Sequence, residues 1–177
     1  GRLYDILSSA QIEYVKWDFN RNLSEVGSAL LPPERQGEVE HRYMLGVYSL
    51  LERVLTAFPD LLLEGCAGGG GRFDAGMLYY SPQFWTSDDT DAIERLTIQA
   101  GTSYCYPPSA MSAHVSAVPN HQTGRVTPLK TRGIVAMGGS FGYELDLTKL
   151  SDEEKEEVKR QVALYHQLAP VIRNGDY

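Results

Sequence analysis

Cysteine is scarce in this sequence, and long apolar runs are missing from it. Only two cysteines, Cys66 and Cys105, occur among its 177 residues, which is too few for the disulfide framework of a small secreted domain or for a zinc ribbon. No apolar stretch approaches the roughly 20 residues that a transmembrane helix requires. Because disulfide and membrane signals are both lacking, we expect a cytoplasmic protein.

Basic residues are also in the minority. The sequence holds 16 lysines and arginines against 23 acidic residues, for a net charge of −7. It therefore lacks the basic excess with which proteins bind nucleic acid or anionic membrane surfaces, and we expect neither partner. A hydrophobic content of 42% is enough for one core.

Strand-like and helix-like segments alternate along the chain, which predicts βα units and a parallel sheet. The predicted strands are residues 12–17, 61–64, 83–86, 112–115 and 141–145. The predicted helices are residues 34–58, a segment after the cap at 87–90, residues 128–137 and residues 151–172, with 4–9 as the tail of a further helix. Ser151 and Glu154 form a capping box at the start of the last helix.

These elements predict an α/β fold that is a portion of a (β/α)8 TIM barrel, with outer helices around parallel strands. A complete barrel has eight strands in about 250 residues, so five strands predict only a part of one. A doubly wound open sheet of five strands is the competing architecture.

The end of the first strand carries an unusual set of side chains. Residues 14–21 read YVKWDFNR, so that a short apolar run ends in Lys16, Trp17 and Asp18 together. Catalytic side chains of α/β barrels lie where strands pass into loops at their carboxyl ends, which makes Asp18 a candidate reacting carboxylate. Because side chains alternate along a strand, Lys16 and Asp18 share one face and Trp17 points the other way, towards the helices.

A glycine-rich loop follows the second strand, at residues 64–74 with the letters EGCAGGGGRFD. It fits neither common phosphate-binding pattern: Gly71 and Arg72 stand where the Walker motif needs Lys and Ser or Thr, and Phe73 stands at the third glycine of the dinucleotide motif. What remains is a loop without side chains that lets a ligand approach bare backbone. A flexible surface loop is the alternative.

Three carboxylates follow the third strand. Asp88, Asp89 and Asp91 stand at a predicted helix start, where aspartates usually cap the helix. However, any one of them together with Asp18 makes two carboxylates at the same ends of near-neighbour strands. Such a pair is what glycoside hydrolysis needs, with one carboxylate as nucleophile and the other as proton donor.

These segments resemble a known family. Residues 16–21 (KWDFNR), 66–74 (CAGGGGRFD) and 85–92 (WTSDDTDA) are similar, in order and spacing, to the three catalytic blocks of glycoside hydrolase family 36, the bacterial and fungal α-galactosidases or melibiases. Residues 114–122 (HVSAVPNHQ) and 141–145 (FGYEL) extend the resemblance over nearly the whole chain.

The resemblance implies a retaining mechanism with a galactosyl-enzyme intermediate. We expect no cofactor, and no metal either, because no paired Cys or His spacing supports a metal site. Asp18 would be the nucleophile, and Asp88 would be the acid that protonates the departing oxygen and then activates water. Lys16 would bind a ring hydroxyl and keep Asp18 ionised. Asp88 would need burial and a negative neighbour to hold its proton, and either Asp89 or Asp91 could supply that charge.

The resemblance also implies the substrate-binding wall. Asn20 would contact the 2-hydroxyl region of the sugar. Cys66, with the backbone of Gly68 and Gly69, would line the galactose pocket, a role that we favour over a reactive thiol because no histidine partner is visible in the sequence.

By the family pattern, the chain would run from about the fourth barrel strand to the eighth helix. The N-terminal β-sandwich, the first barrel strands and the C-terminal β-domain would lie outside it, so we expect the isolated chain to be inactive. The full-length protein would be a homotetramer acting on α-galactosides such as melibiose and raffinose. Two alternatives stay open: a transglycosylating relative, and a half-barrel that binds sugar without turnover.

Overall fold

The chain, seen in a computed structural model that describes residues 1–20 and 23–175, is built on a five-stranded parallel sheet. The strands are β1 (Tyr14–Asp18), β2 (Leu62–Cys66), β3 (Gln83–Trp85), β4 (Met111–Ser116) and β5 (Ser140–Glu144). All five predicted strands are confirmed, with ends that differ by no more than two residues. Arg21, the last residue of the predicted 14–21 segment, lies outside the described residues.

Six α-helices occur in the described residues, and five of them were predicted. They are α1 (Arg2–Ser9), α2 (Val39–Ala57), α3 (Ala75–Tyr80), α4 (Ala92–Ser103), α5 (Leu129–Ala136) and α6 (Asp152–Asn174). The missed helix is α3, whose six residues are too short to show a helical period. Within this part of the chain, no helix has the length and apolar character needed to cross a membrane.

Of three predicted helix starts, one is confirmed and two need correction. The capping box of Ser151 and Glu154 on α6 is confirmed. The cap of α4 was predicted at residues 87–90, but it is Asp91, whose carboxylate accepts from the backbone N–H of Ile93 at 2.8 Å. The helix predicted from residue 34 also starts differently, because Pro33–Glu38 is a 3-10 helix that leads into α2.

The order of the strands decides between the two predicted architectures. The sheet runs β1-β2-β3-β4-β5, so each strand pairs with its neighbour in sequence. A doubly wound sheet reverses its strand order at a switch point, and no reversal occurs among the five described strands. Since crossovers between parallel strands are right-handed, strands added in one direction place their connecting helices on one face. The doubly wound alternative is therefore wrong, and the fold is a partial α/β barrel.

The two faces of the sheet differ in chemistry. The helix-facing side is apolar, with side chains such as Leu63, Phe84 and Val115 at most 1% exposed. Burial of such a side chain contributes roughly 1.5–3 kcal/mol. Trp17 packs against this core, as predicted. The opposite side is polar, and strand register places on it Lys16 beside Glu64, and Asp18 beside Cys66.

Candidate active site

The three predicted catalytic blocks meet at one edge of the sheet. Asp18 and Cys66 are paired in register at the last positions of β1 and β2. Asp88 follows the end of β3 by three residues. Because parallel strands end at the same edge, the fold brings both candidate carboxylates and the glycine loop to one rim.

Asn20 joins Asp18 to the glycine loop. Its side-chain amide donates to the Asp18 carboxylate at 3.4 Å, and its Oδ1 accepts from the backbone N–H of Gly68 at 2.5 Å. Arg72 supports the same turn from below: its guanidinium donates to the Phe19 carbonyl at 2.7 Å and lies over the Phe19 ring at 4.2 Å from the centroid. The candidate nucleophile is thus held on a turn that is braced from the neighbouring strand's loop.

Cys66 is a buried thiol beside Asp18. It is 4% exposed, and burial raises its pKa, with the Asp18 carboxylate adding to the rise and the Gly69 backbone opposing it. A thiol with a raised pKa stays protonated near neutral pH and is a poor nucleophile. The environment of Cys66 therefore suits a wall position better than covalent catalysis.

Glycines in the loop after β2 let it pack closely against the loop that carries Asp88. A Cβ atom on Gly69, which has φ +77°, would lie 2.6 Å from the Cα of Ser87, and one on Gly70 would lie 2.8 Å from the Thr86 carbonyl oxygen. These glycines therefore allow the β2 loop to pack on the backbone next to Asp88. At Gly68, with φ +58°, a Cβ would meet no described atom within 4 Å. The predicted approach of a ligand to bare backbone thus has room at Gly68, whereas Gly69 and Gly70 face protein.

Glu64 is a site residue that sequence reasoning missed. Its Oε1 lies 3.7 Å from the Lys16 ammonium, and its other carboxylate oxygen accepts a hydrogen bond from the Tyr14 hydroxyl. Glu64 is buried, and burial raises its pKa. A signal was available, because Glu64 is the one charged residue in an apolar strand and lies two residues before Cys66, on the same face.

Trp85 connects the polar face to Asp88. Its indole N–H donates to the Asp88 carboxylate at 3.1 Å. Its ring stacks on His114 with centroids 4.2 Å apart, and the Arg95 guanidinium lies 4.4 Å from the ring centroid. Trp85 is 4% exposed, so this ring packs within the protein and orients the candidate acid.

His114 is held between aromatic and acidic groups. Its Nε2 lies 2.5 Å from a Glu144 carboxylate oxygen, though without the angles of a hydrogen bond. Burial lowers the pKa of His114 to about 4, against the opposing effect of Glu144. The ring is therefore neutral near pH 7. No cluster of three or more potential metal ligands occurs in residues 1–20 and 23–175.

The three aspartates after β3 have separate environments. Asp91 caps α4 and pairs with Arg125 at 2.7 Å. Burial raises the pKa of Asp91, but hydrogen bonds from Thr123, the Ile93 backbone and Arg125 outweigh it and lower the pKa overall. Asp89 accepts from the Asp91 backbone N–H at 2.9 Å. Because Arg125 neutralises Asp91, Asp89 is the better candidate for a negative charge next to Asp88.

Asp88 caps no helix, since the N-cap of α4 is Asp91. Its side chain is exposed, so the burial expected of a proton donor is not provided by the described residues around it. Asp88 is anchored by Trp85, after the end of β3 at the rim that also carries Asp18. Asp18 and Asp88 are thus both held at the rim, as the pair of carboxylates that glycoside hydrolysis uses.

Parallel strands in sequential order, helices on one face and two carboxylates at the carboxyl ends define part of an α/β-barrel enzyme. Comparison with protein families gives the particular group. The melibiase family model matches residues 1–175, and the chain belongs to this family.

Similar proteins are much longer than this chain. It is 61% identical to alpha-galactosidase AgaA of Geobacillus stearothermophilus over 173 residues, which are 98% of the chain. It is 60% identical to alpha-galactosidase 1 of Pediococcus pentosaceus over 176 residues, which are 99% of the chain. The crystal structure of GH36 alpha-galactosidase AgaA matches 98% of the chain with a TM-score of 0.94 and 60% identity. The chain spans only 24% of each of these relatives.

Proposed function

We propose that the chain is the catalytic segment of a retaining α-galactosidase, which releases terminal α-linked galactose from oligosaccharides such as melibiose and raffinose. The observation that carries this proposal is the convergence of Asp18, Asp88 and the glycine loop on one rim of a melibiase-family barrel. Relatives at about 60% identity are named alpha-galactosidases.

In this mechanism Asp18 attacks the anomeric carbon and forms a galactosyl-enzyme intermediate, while the Asp88 carboxyl protonates the departing oxygen. Asp88 then accepts a proton from the water that releases galactose with its configuration retained. Each carboxylate is held in place by its own neighbours: Asn20 and the glycine loop hold Asp18, and Trp85 holds Asp88.

The substrate wall is proposed from the same rim. Lys16, Asn20 and Cys66 lie on or next to the polar face, and Gly68 presents open space. Gly69 would contribute through its backbone alone, because the loop that carries Asp88 leaves no room for a side chain there. The Lys16 ammonium, paired with Glu64, would bind a ring hydroxyl of galactose.

Solved structures of AgaA variants support both the substrate and the two carboxylates. AgaA variants with one aspartate replaced by asparagine, or another by alanine, were crystallised in complex with raffinose and with stachyose, respectively. Those two aspartates are separated by the same number of residues as Asp18 and Asp88.

The isolated chain should not turn over substrate. In the described sheet, β1 pairs only with β2, and β5 only with β4, so the polar face that would line a closed barrel is open at both edges. Positioning of substrate against both carboxylates needs a complete enclosing pocket.

Replacement of Asp18 by Gly in the full-length protein tests the assignment. Hydrolysis of an aryl α-galactoside should be abolished, and azide should partly restore turnover by attacking from the vacated side to give an inverted galactosyl azide. Asp60→Gly is a matched control, because Asp60 lies in an exposed turn before β2, at the opposite ends of the strands. A near-normal rate in Asp18→Gly would contradict the proposal.

NMR of the first-formed product separates the remaining mechanisms. Release of α-galactose supports retention, and initial β-galactose contradicts it. Transfer of galactose to a sugar acceptor in preference to water would indicate a transglycosylating relative, and no turnover by the wild-type full-length protein would indicate a non-catalytic sugar-binding barrel.

A further inference from the structure

The loop between β4 and α5 reaches the candidate acid through one side chain, that of Gln122. The Gln122 amide donates from Nε2 to the backbone carbonyl of Asp88 at 2.7 Å. Its Oε1 accepts from the backbone N–H of Thr90 at 2.9 Å. A single amide therefore spans Asp89 and satisfies one backbone acceptor and one backbone donor of the acid loop.

Gln122 is itself held in place. Its backbone N–H donates to Oδ1 of Asn120 at 2.9 Å, and the Asn120 amide donates to the Thr90 hydroxyl at 2.9 Å. Asn120 is buried. The Gln122 side chain thus starts next to a buried residue that also binds the acid loop, at Thr90.

The two tethers of Asp88 act at different atoms. Trp85 binds the carboxylate, whereas Gln122 binds the backbone carbonyl. The helix start beyond them is secured separately, since Arg125 pairs with Asp91 at 2.7 Å. Loss of the Gln122 amide would therefore remove the hydrogen bonds it makes with the Asp88 carbonyl and the Thr90 N–H, without releasing α4.

We propose that Gln122 is a positioning residue for proton transfer, which sets the orientation of the Asp88 carboxyl through the backbone of the acid loop. This proposal rests on the proposed function of Asp88 as general acid. Gln122 is exposed and touches no reacting group of the mechanism, so its effect would pass entirely through Asp88.

Leaving-group dependence tests this role. A sugar leaving group needs a proton from the acid as its bond breaks, whereas a dinitrophenolate departs without one. The variant Gln122→Met, made in the full-length protein, keeps side-chain length and removes both hydrogen bonds. Since general acid catalysis contributes about 10²–10⁴-fold, misalignment should reduce kcat/KM for raffinose about tenfold and leave kcat/KM for dinitrophenyl α-galactoside nearly unchanged.

Gln161→Met is the matched control. The Gln161 amide joins the Leu129 carbonyl and the Tyr143 hydroxyl in the helix layer, so its loss should not change the ratio of the two kcat/KM values. Equal losses of kcat/KM on both substrates in Gln122→Met, or no loss on either, would overturn the positioning role.

Asp88→Ala in the same assay separates this proposal from the one on which it rests. A selective loss on raffinose in Asp88→Ala, with no selective loss in Gln122→Met, overturns the role of Gln122 alone. Absence of selectivity in Asp88→Ala overturns the assignment of the acid, and with it the role of Gln122.

Discussion

Replacement of Gly69 by Ala tests the packing between the two catalytic loops. Gly69 has φ +77°, and a Cβ there would lie 2.6 Å from the Ser87 Cα and 3.0 Å from the Asp88 backbone nitrogen. Both contacts are with backbone, which cannot turn aside as a flexible side chain can. The substitution therefore combines strain in the left-handed region with overpacking.

The two effects can be separated with Gly68. At Gly68, with φ +58°, a Cβ meets no described atom within 4 Å, so Gly68→Ala should cost only the conformational strain of about 1–2 kcal/mol. Gly69→Ala should add an overpacking cost of about 1–3 kcal/mol. We expect Gly69→Ala to lower the free energy of unfolding by about 2–5 kcal/mol in total.

Urea titration of the full-length protein measures these differences in the free energy of unfolding, if the unfolding transition of the barrel is the one monitored. The Gly69→Ala variant should also lose activity, since the displaced atoms belong to Ser87 and Asp88. If Gly69→Ala were no less stable than Gly68→Ala, the close approach of the two loops would not be the reason for a glycine at this position.

Three further predictions concern buried polar groups. Arg95→Ala removes a buried guanidinium that donates to two backbone carbonyls, so urea titration should show that the free energy of unfolding falls by about 2–4 kcal/mol. Arg160 forms an ion pair on the surface, and Arg160→Ala should lower it by at most about 1 kcal/mol. Equal losses in the two variants would contradict this prediction. Burial lowers the pKa of His114 from 6.5 to about 4, so between these pH values the unfolded chain binds a proton that the folded chain does not. Stability should therefore fall as the pH drops through this range. In His114→Phe, urea titrations at several pH values should find a smaller change of the free energy of unfolding with pH. Iodoacetamide should label exposed Cys105 well before buried Cys66 in the native protein, as read by peptide mass mapping; faster labelling of Cys66 would refute its protonated state.

Much of the fold was readable from local pattern. Strand positions, the α6 capping box and the outward direction of Trp17 follow from side-chain alternation and helix caps, which depend on near neighbours in sequence. The location of Asp18 and Asp88 at one rim was readable for the same reason, because both follow parallel strands. The short α3 was not, since six residues carry too little periodic signal.

The partners of the site residues were less readable. The pairing of Lys16 with Glu64 depends on the register between β1 and β2, and the Gln122 amide reaches Asp88 across 34 residues of sequence. Such contacts join separate βα units, and no periodicity within one unit encodes them.

By itself, the sequence determined the elements, the acidic and glycine-rich blocks at strand ends and the resemblance to the melibiases, because these are local properties of composition, spacing and motif. Only the tertiary structure decided the sequential strand order that makes a partial barrel, the neutralisation of Asp91 by Arg125 and the packing of Gly69 against Ser87. The physical reason is that these features arise from contacts between units, whose distances and charges are set only when the sheet assembles.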